Sequence, residues 1–256
     1  MENILEVKNV SKKYQSKEGE ILAIQNVNFK VKKGEFVSII GPSGCGKSTL
    51  LSVIAGLEEK SSGEVFLENE KIDTISSNIG YMLQKDCLLE WRTVLNNTLF
   101  GLEIKGNKLT ENVQYVEELL KKYHLHEFKN KYPSELSGGM RQRVALIRTL
   151  ATKPKLLPLD EAFSALDYQT RIMVTNDIYS ILRKEKITAI IVTHDISEAI
   201  SMSDRIIVLS KRPGTIKSIH NIEFELENRT PLNCRENPKF SQYFNTLWKE
   251  LGANEK

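Results

Sequence analysis

FVSIIGPSGCGKST, residues 36–49, runs from an unbroken apolar stretch into a turn with glycines at 41, 44 and 46 and a single lysine, Lys47. Its apolar density suits a strand covered on both faces. The turn matches G-x-x-x-x-G-K-[ST] at Gly41, Gly46, Lys47 and Ser48, and a helix should open at Lys47 and run to about Leu57. Strand, glycine turn and helix in that order are the context a phosphate-binding loop requires. Glycines let the backbone curl so that successive N–H groups point inward, and the helix N-terminus adds partial positive charge. Gly41, Pro42, Ser43, Gly44, Cys45, Gly46, Lys47, Ser48 and Thr49 form the expected nucleotide-binding stretch, with Lys47 reaching the β- and γ-phosphates and the Ser48 hydroxyl placed to ligate Mg²⁺. A glycine-rich surface turn is the alternative for the motif on its own.

Outward from this loop the texture changes several times. ILEVKNV, AIQNVNFKV and EVFLENEKI read as strands, with KKGE a turn between the second and FVSII, and IGYML at 79–83 as a further short strand. From about 86 to 152 the pattern is helical. TENVQYVEELLKKYHL puts Val113, Val116, Leu119 and Leu120 on one face after a Thr110 N-cap, and MRQRVALIRTLA does the same with Val144, Ile147, Arg148 and Ala151. Strands return as KLLPLD (155–160), TAIIVTH (188–194) and RIIVLS (205–210), alternating with helical segments at about 168–184 and 196–203. That alternation implies a parallel α/β sheet. PKFSQYFNTLWKEL, amphipathic behind a proline, predicts a short terminal helix.

Composition limits what such a chain can be. Its 256 residues, 40% hydrophobic, can bury a substantial core. Scattered basic residues and a net charge of only +3 exclude a nucleic-acid footprint. Cys45, Cys87 and Cys234 stand at no metal-like spacing and fit a reducing compartment, so a cytoplasmic location is expected. Apolar runs such as LLPL, AIIV and IIVL are far short of the roughly 20 residues that span a bilayer, so work at a membrane would need a partner to hold the chain there.

A magnesium–nucleotide site needs an acidic contact besides the loop. KLLPLDEAFSALD supplies it, with Asp160 and Glu161 at the carboxyl edge of an apolar strand. Asp160 suits Mg²⁺, held mostly through water, and Glu161, one residue on, could polarise a water in line with the γ-phosphate. A solvated acidic pair is the alternative. Pro158 lacks an amide hydrogen and should interrupt the ladder of that strand.

With these residues in place the sequence resembles the ATP-binding subunit of an ABC transporter, over nearly the whole chain to about residue 215. LSGGMRQR, 136–143, matches that family's signature motif; Ser137, Gly138 and Gly139 offer a hydroxyl and open amides at a helix start, and in the family they serve the nucleotide of the opposite subunit. By the same resemblance Tyr14 stacks on adenine, Gln84 senses Mg²⁺ and the attacking water, His194 touches the γ-phosphate, and Ser164, Ala165, Leu166 and Asp167 form the loop that crosses the dimer contact. The other histidines, His124, His126 and His220, match nothing in the family pattern and are expected at the surface. The resemblance implies a P-loop NTPase core with a parallel sheet, an N-terminal antiparallel β subdomain and an inserted α-helical subdomain. Residues 1–85 and 153–216 would form the ATP-binding core with the β subdomain, 86–152 the helical subdomain, and 217–256 a tail.

It also implies partners and a cycle. Two copies would close around ATP and reopen on hydrolysis, passing the stroke to transmembrane permease subunits that an extracytoplasmic solute-binding protein supplies. In QKDCLLEWRTVLNN, Leu88, Leu89 and Trp91 offer an exposed apolar grip for a permease helix, with burial in the core as the alternative. The same segment, with KRPGTI at 211–216, resembles importers of nitrate, sulfonate and taurine, and related systems carry pyrimidine thiamine precursors; Glu90 and Ala162 stand where those sequences have proline. A soluble ABC-type ATPase of DNA repair or translation would ordinarily show two cassettes, a coiled coil or zinc cysteines. A P-loop kinase acting on a small acceptor would account for 41–49 and Asp160 but leave LSGGMRQR and His194 without a role.

Overall fold

The computed structural model describes residues 2–17, 19–107 and 109–252. Two sheets form its frame. The first is antiparallel: β1 (Asn3–Ser16) pairs on one side with β2 (Gly19–Lys32) and on the other with β4 (Ser62–Leu67), which carries the two-residue β5 (Glu70–Lys71). EVFLENEKI is therefore a hairpin and not one strand, because Glu68 and Asn69 both take positive φ, 48° and 66°, as a tight primed turn demands.

The second sheet has the order β6 (Leu156–Asp160), β7 (Thr188–Val192), β3 (Phe36–Ile40), β8 (Arg205–Leu209), β9 (Ile216–Asn221). The first four are parallel and β9 runs antiparallel along the edge. β3 and β7 are buried at every position, as strands covered on both faces must be. IGYML does not become a full strand: it touches β6 through isolated parallel bridges at Ile79–Leu156 and Met82–Leu159. That arrangement accommodates Pro158. The carbonyls of Leu156 and Pro158 accept from Gly80 and Met82, so the missing amide falls on this ragged side and not on the ladder to β7.

Helices cover the second sheet. They are α1 (Lys47–Ile54), α2 (Val94–Ile104), α3 (Thr110–Lys122), α4 (Gly138–Leu150), α5 (Tyr168–Lys184), α6 (Ile196–Met202), α7 (Pro231–Glu236) and α8 (Pro238–Gly252). α1 stops at Ile54, short of Leu57, because Gly56 turns left-handed at φ 71° against the Thr74 carbonyl. α3 has the expected buried face at Val116, Leu119 and Leu120, but its N-cap is Leu109 and Thr110 is the first helical residue: the Leu109 carbonyl already receives Asn112 and Val113 N–H. α2, α3 and α4 pack on one another and share a core with Phe36, Leu157, Leu159 and Ile191 of the sheet. α8 is a full 15 residues and is seated, through Leu247, on α6 at Ile196, Ala199 and Ile200.

Candidate functional site

The carboxyl ends of β3, β6 and β7 converge, and the loops leaving them build a cleft of about 710 Å³ lined by Tyr14, Ser43, Gly44, Gly46, Lys47, Ser48, Thr49, Glu161 and His194. Gly44 and Gly46 sit at φ 71° and 101°, and a Cβ on Gly46 would lie 2.6 Å from Ile24 Cγ2 and 2.8 Å from the Ala23 carbonyl. Glycine there is required twice, by dihedral and by space. On Gly41 the added atom would meet Cys45 Sγ at 2.8 Å, so the loop's own buried cysteine packs where another residue would need volume.

Lys47 is buried, its ammonium donating to the carbonyls of Gly41 at 2.9 Å and Pro42 at 3.1 Å. Held in this way at the start of α1, its ammonium is hydrogen-bonded to carbonyl dipoles and not to a carboxylate, which suits it to attract an anion entering the cleft. The Ser48 hydroxyl donates to Asp160 Oδ1 at 2.9 Å, and the Tyr81 phenol to Asp160 Oδ2 at 3.2 Å. Burial pushes the Asp160 carboxyl above its usual range, while the Ser48 and Tyr81 hydroxyls and Lys47 oppose that shift.

These donors fit Mg²⁺ in one specific way. Among the described residues no group of three or more His, Cys, Asp or Glu could hold a metal by itself. A hydroxyl and a carboxylate side by side match an ion that completes its octahedron with phosphate oxygens and water. Glu161 leaves the strand at φ 46°, its N–H donating to the Val192 carbonyl, and its carboxylate comes within 3.5 Å of His194 Nδ1. Tyr14 is half-buried at the open side of the cleft, its hydroxyl 3.4 Å from Thr49 Oγ1.

Other expected site residues lie apart. Ser137 caps α4, accepting from Met140 N at 3.3 Å, and Gly139 lies so near α5 that a Cβ would be 2.8 Å from Val174. Gly138 lines a second cleft, of about 430 Å³, with Gln84, Asp86, Glu90, Arg141 and Leu166. Gln84 Nε2 donates to Ser164 Oγ at 3.0 Å, and that hydroxyl donates to the Glu161 carbonyl at 2.9 Å. So Gln84 is linked to Glu161, in the wall of the first cleft, through one serine.

Two expectations about the flanks are corrected. Leu88 is 7% exposed and belongs to the helical core and Leu89 is half-buried, leaving Trp91, 74% exposed, as the fully projecting apolar residue. The Leu88 amide donates to Asp86 Oδ1 at 2.9 Å. Of the three histidines expected at the surface only His124 is fully exposed: His126 is half-buried, and so is His220, between Ser218 and Glu250 where β9 meets α8. Sequence reasoning missed Tyr81 and also Ile21, Ala23 and Arg212, which complete the cleft wall. Only the position of Tyr81 in IGYML, beside a strand ending in Asp160, could have suggested it.

The sequence profile of the ABC transporter family matches residues 24–164, more than half of the chain. The chain belongs to the ABC transporter ATP-binding family. This ABC protein is 46% identical to an uncharacterized ABC transporter ATP-binding protein, YtlC, of Bacillus subtilis, over 99% of its own length and 98% of the relative's. It is 39% identical to the aliphatic sulfonates import ATP-binding protein SsuB of Bacillus cereus, covering 96% and 93% of the two chains. Among solved structures, the ATP-binding cassette MJ0796, a dimer in a post-hydrolysis state with ADP and phosphate, superposes with a TM-score of 0.72 at 34% identity, over 86% of this chain and 99% of that one. As an ABC cassette the protein binds ATP and is an ATPase.

Proposed function

We propose that this chain is the ATP-hydrolysing subunit that powers an importer of a small solute, a nitrate-, sulfonate- or taurine-like anion or a pyrimidine thiamine precursor, through ATP-driven closure of a homodimer. One observation carries the reading: the glycine loop and Gly138, at the helix start of the signature stretch, line different clefts of the same chain. Each chain therefore holds half of a triphosphate site, and a second copy would bring its Ser137, Gly138 and Gly139 amides to the phosphates that Lys47 faces. The dimeric MJ0796 cassette supports that arrangement. The match to SsuB, an aliphatic sulfonates import protein, supports the solute class.

In this reading the residues divide the work. The loop of 41–49 grips the phosphates, Tyr14 stacks on adenine, and Ser48 with Asp160 holds Mg²⁺, helped by Gln84. Bound Mg²⁺ would supply charge neutralisation on the polyphosphate. Glu161 takes the proton of the attacking water, and His194, 3.5 Å from that carboxylate, turns to the γ-phosphate. Closing the dimer excludes water and strengthens each of these contacts. Residues 86–152 act as the helical subdomain that meets transmembrane permease subunits, residues 1–85 and 153–216 as the ATP-binding core, and 217–256 as an added C-terminal segment. The location is the cytoplasmic face of the membrane, with the solute-binding protein engaged only through the permease. No described helix is long and apolar enough to cross a membrane.

Glu161→Gln tests the central step. The variant keeps the grip on ATP while losing the base, so size-exclusion chromatography with ATP should show a stable dimer where wild type runs mostly as monomer. A variant that binds ATP and remains monomeric at every concentration refutes the proposal.

A further inference from the structure

A ring of polar contacts encircles Glu161, and its keystone is a residue with no role so far. Arg171, on the first turn of α5, reaches back with Nη2 to the carbonyls of Leu166 at 2.8 Å and Ser164 at 3.3 Å. Its Nη1 lies 3.7 Å from Asp195 Oδ2. Asp195 is the N-cap of α6, and its other oxygen, Oδ1, accepts from Ser197 N at 2.8 Å and Glu198 N at 3.2 Å. Both oxygens of Asp195 are thus occupied, one by the helix and one by the arginine. His194 stands between Asp195 and Thr193, and Thr193 is pinned in turn: its hydroxyl donates to Glu198 Oε2 at 3.2 Å and accepts from Asp195 N at 3.0 Å. The histidine side chain itself remains free to turn, 60% exposed, with Glu161 beside it. The Ser164 hydroxyl closes the ring on the Glu161 carbonyl.

We infer that Arg171 is a positioning residue that couples the Ser164–Asp167 loop to His194, so that displacing the loop moves the histidine relative to Glu161. A guanidinium suits the task because its planar fork can serve carbonyls on one loop and a carboxylate on another at once, which an ammonium cannot do with the same geometry. The Ser164–Asp167 loop is exposed at Ala165 and Asp167 and half-buried at Ser164 and Leu166, so an approaching second copy can press on it. Arg171 then makes the orientation of His194 depend on that approach, which would hold hydrolysis back in the lone chain. The inference rests on the proposed contact of His194 with the γ-phosphate.

The test uses the full chain and compares Arg171→Ala, Arg171→Lys, Asp195→Asn, the Arg171→Ala/Asp195→Asn pair and His194→Ala. Asn keeps the helix cap while removing the charge, so Asp195→Asn probes the link even where Arg171→Ala fails to fold. ATP affinity by calorimetry should be unchanged in Arg171→Ala and Asp195→Asn, while kcat falls by about 10- to 100-fold, as expected for a misplaced group remote from binding. Cooperativity in ATP should decline with it, the double variant should be no slower than the slower single one, and Arg171→Lys should recover part of the rate. Folded Arg171→Ala or Asp195→Asn with full kcat, beside an inactive His194→Ala, would overturn the coupling and leave the His194 reading intact; so would losses that multiply in the double variant. Wild-type hydrolysis by His194→Ala would remove that reading and the inference with it.

Discussion

Lys47 shows how far the loop's own backbone can commit one side chain. It is buried, yet its ammonium faces carbonyl oxygens and has no carboxylate partner among its hydrogen bonds. Removing it should cost a charge-assisted contact worth about 1.5–3 kcal/mol. We expect Lys47→Ala to weaken ATP binding by roughly 10- to 100-fold, measured by calorimetry on a variant whose folding is intact, and an unchanged affinity would contradict the role. Asp160 presents the complementary case. Its neighbours Ser48 and Tyr81 donate to both oxygens, while burial presses the carboxyl toward neutrality. The acidic pair itself was legible in KLLPLDEAFSALD, since a carboxylate at the end of an apolar strand beside a phosphate loop has few other uses. Tyr81 was not, because a tyrosine in an ambiguous short strand gives no sign of which loop it will meet.

At the scale of elements, α6 is short and carries a buried acid. Glu198 is 3% exposed, and burial first, with Asp195 adding, pushes its carboxyl up to about 8 while the Thr193 hydroxyl, Arg171 and Arg235 pull the other way. The folded value lies above the unfolded one, so the folded state binds the extra proton between about pH 4.5 and 8. Stability contributed by neutral Glu198 is fully present below that window and is lost as pH rises through it. Glu198→Gln should therefore melt above wild type at pH 9, and the gap should narrow toward pH 5 in thermal unfolding; a gap that is constant across pH would show that the buried charge is not the cause. Element reading from the sequence succeeded where apolar period and burial coincide, as in β7 and α5, whose bounds follow their patterns closely. It failed at 79–83 and at Thr110. In the first, pairing depends on β6 lying alongside; in the second, the Leu109 carbonyl takes the amides that a side-chain cap would have served.

The molecule as a whole presents Trp91 on the rim of the helical segment, 74% exposed, next to Arg92, whose guanidinium pairs with Glu103 and lies over Phe100. A large aromatic left outside while Leu88, three residues earlier, is taken into the core is consistent with the proposed permease grip. Trp91→Ala should leave the ATP affinity of the isolated chain unaltered and abolish co-purification with hydrophobic subunits from membranes; retention of those subunits would place the contact elsewhere. Glu90 pairs with Arg141 at 2.6 Å, and Arg141 also holds Asp86 at 2.8 Å, tying the segment after Gln84 to the start of α4. The glycine-loop motif, the alternating α/β core, the acidic strand end and the LSGGM stretch at a helix start can all be read along the chain, because each is encoded by neighbouring residues, through glycine dihedrals, apolar period and capping chemistry. Folding in three dimensions was needed to fix which cleft each motif enters, which of Leu88 and Trp91 is buried, and the bridge that Arg171 makes between two loops beside Glu161. Those outcomes depend on contacts between segments tens of residues apart, where packing and the pairing of buried charges select among arrangements that local pattern leaves equal.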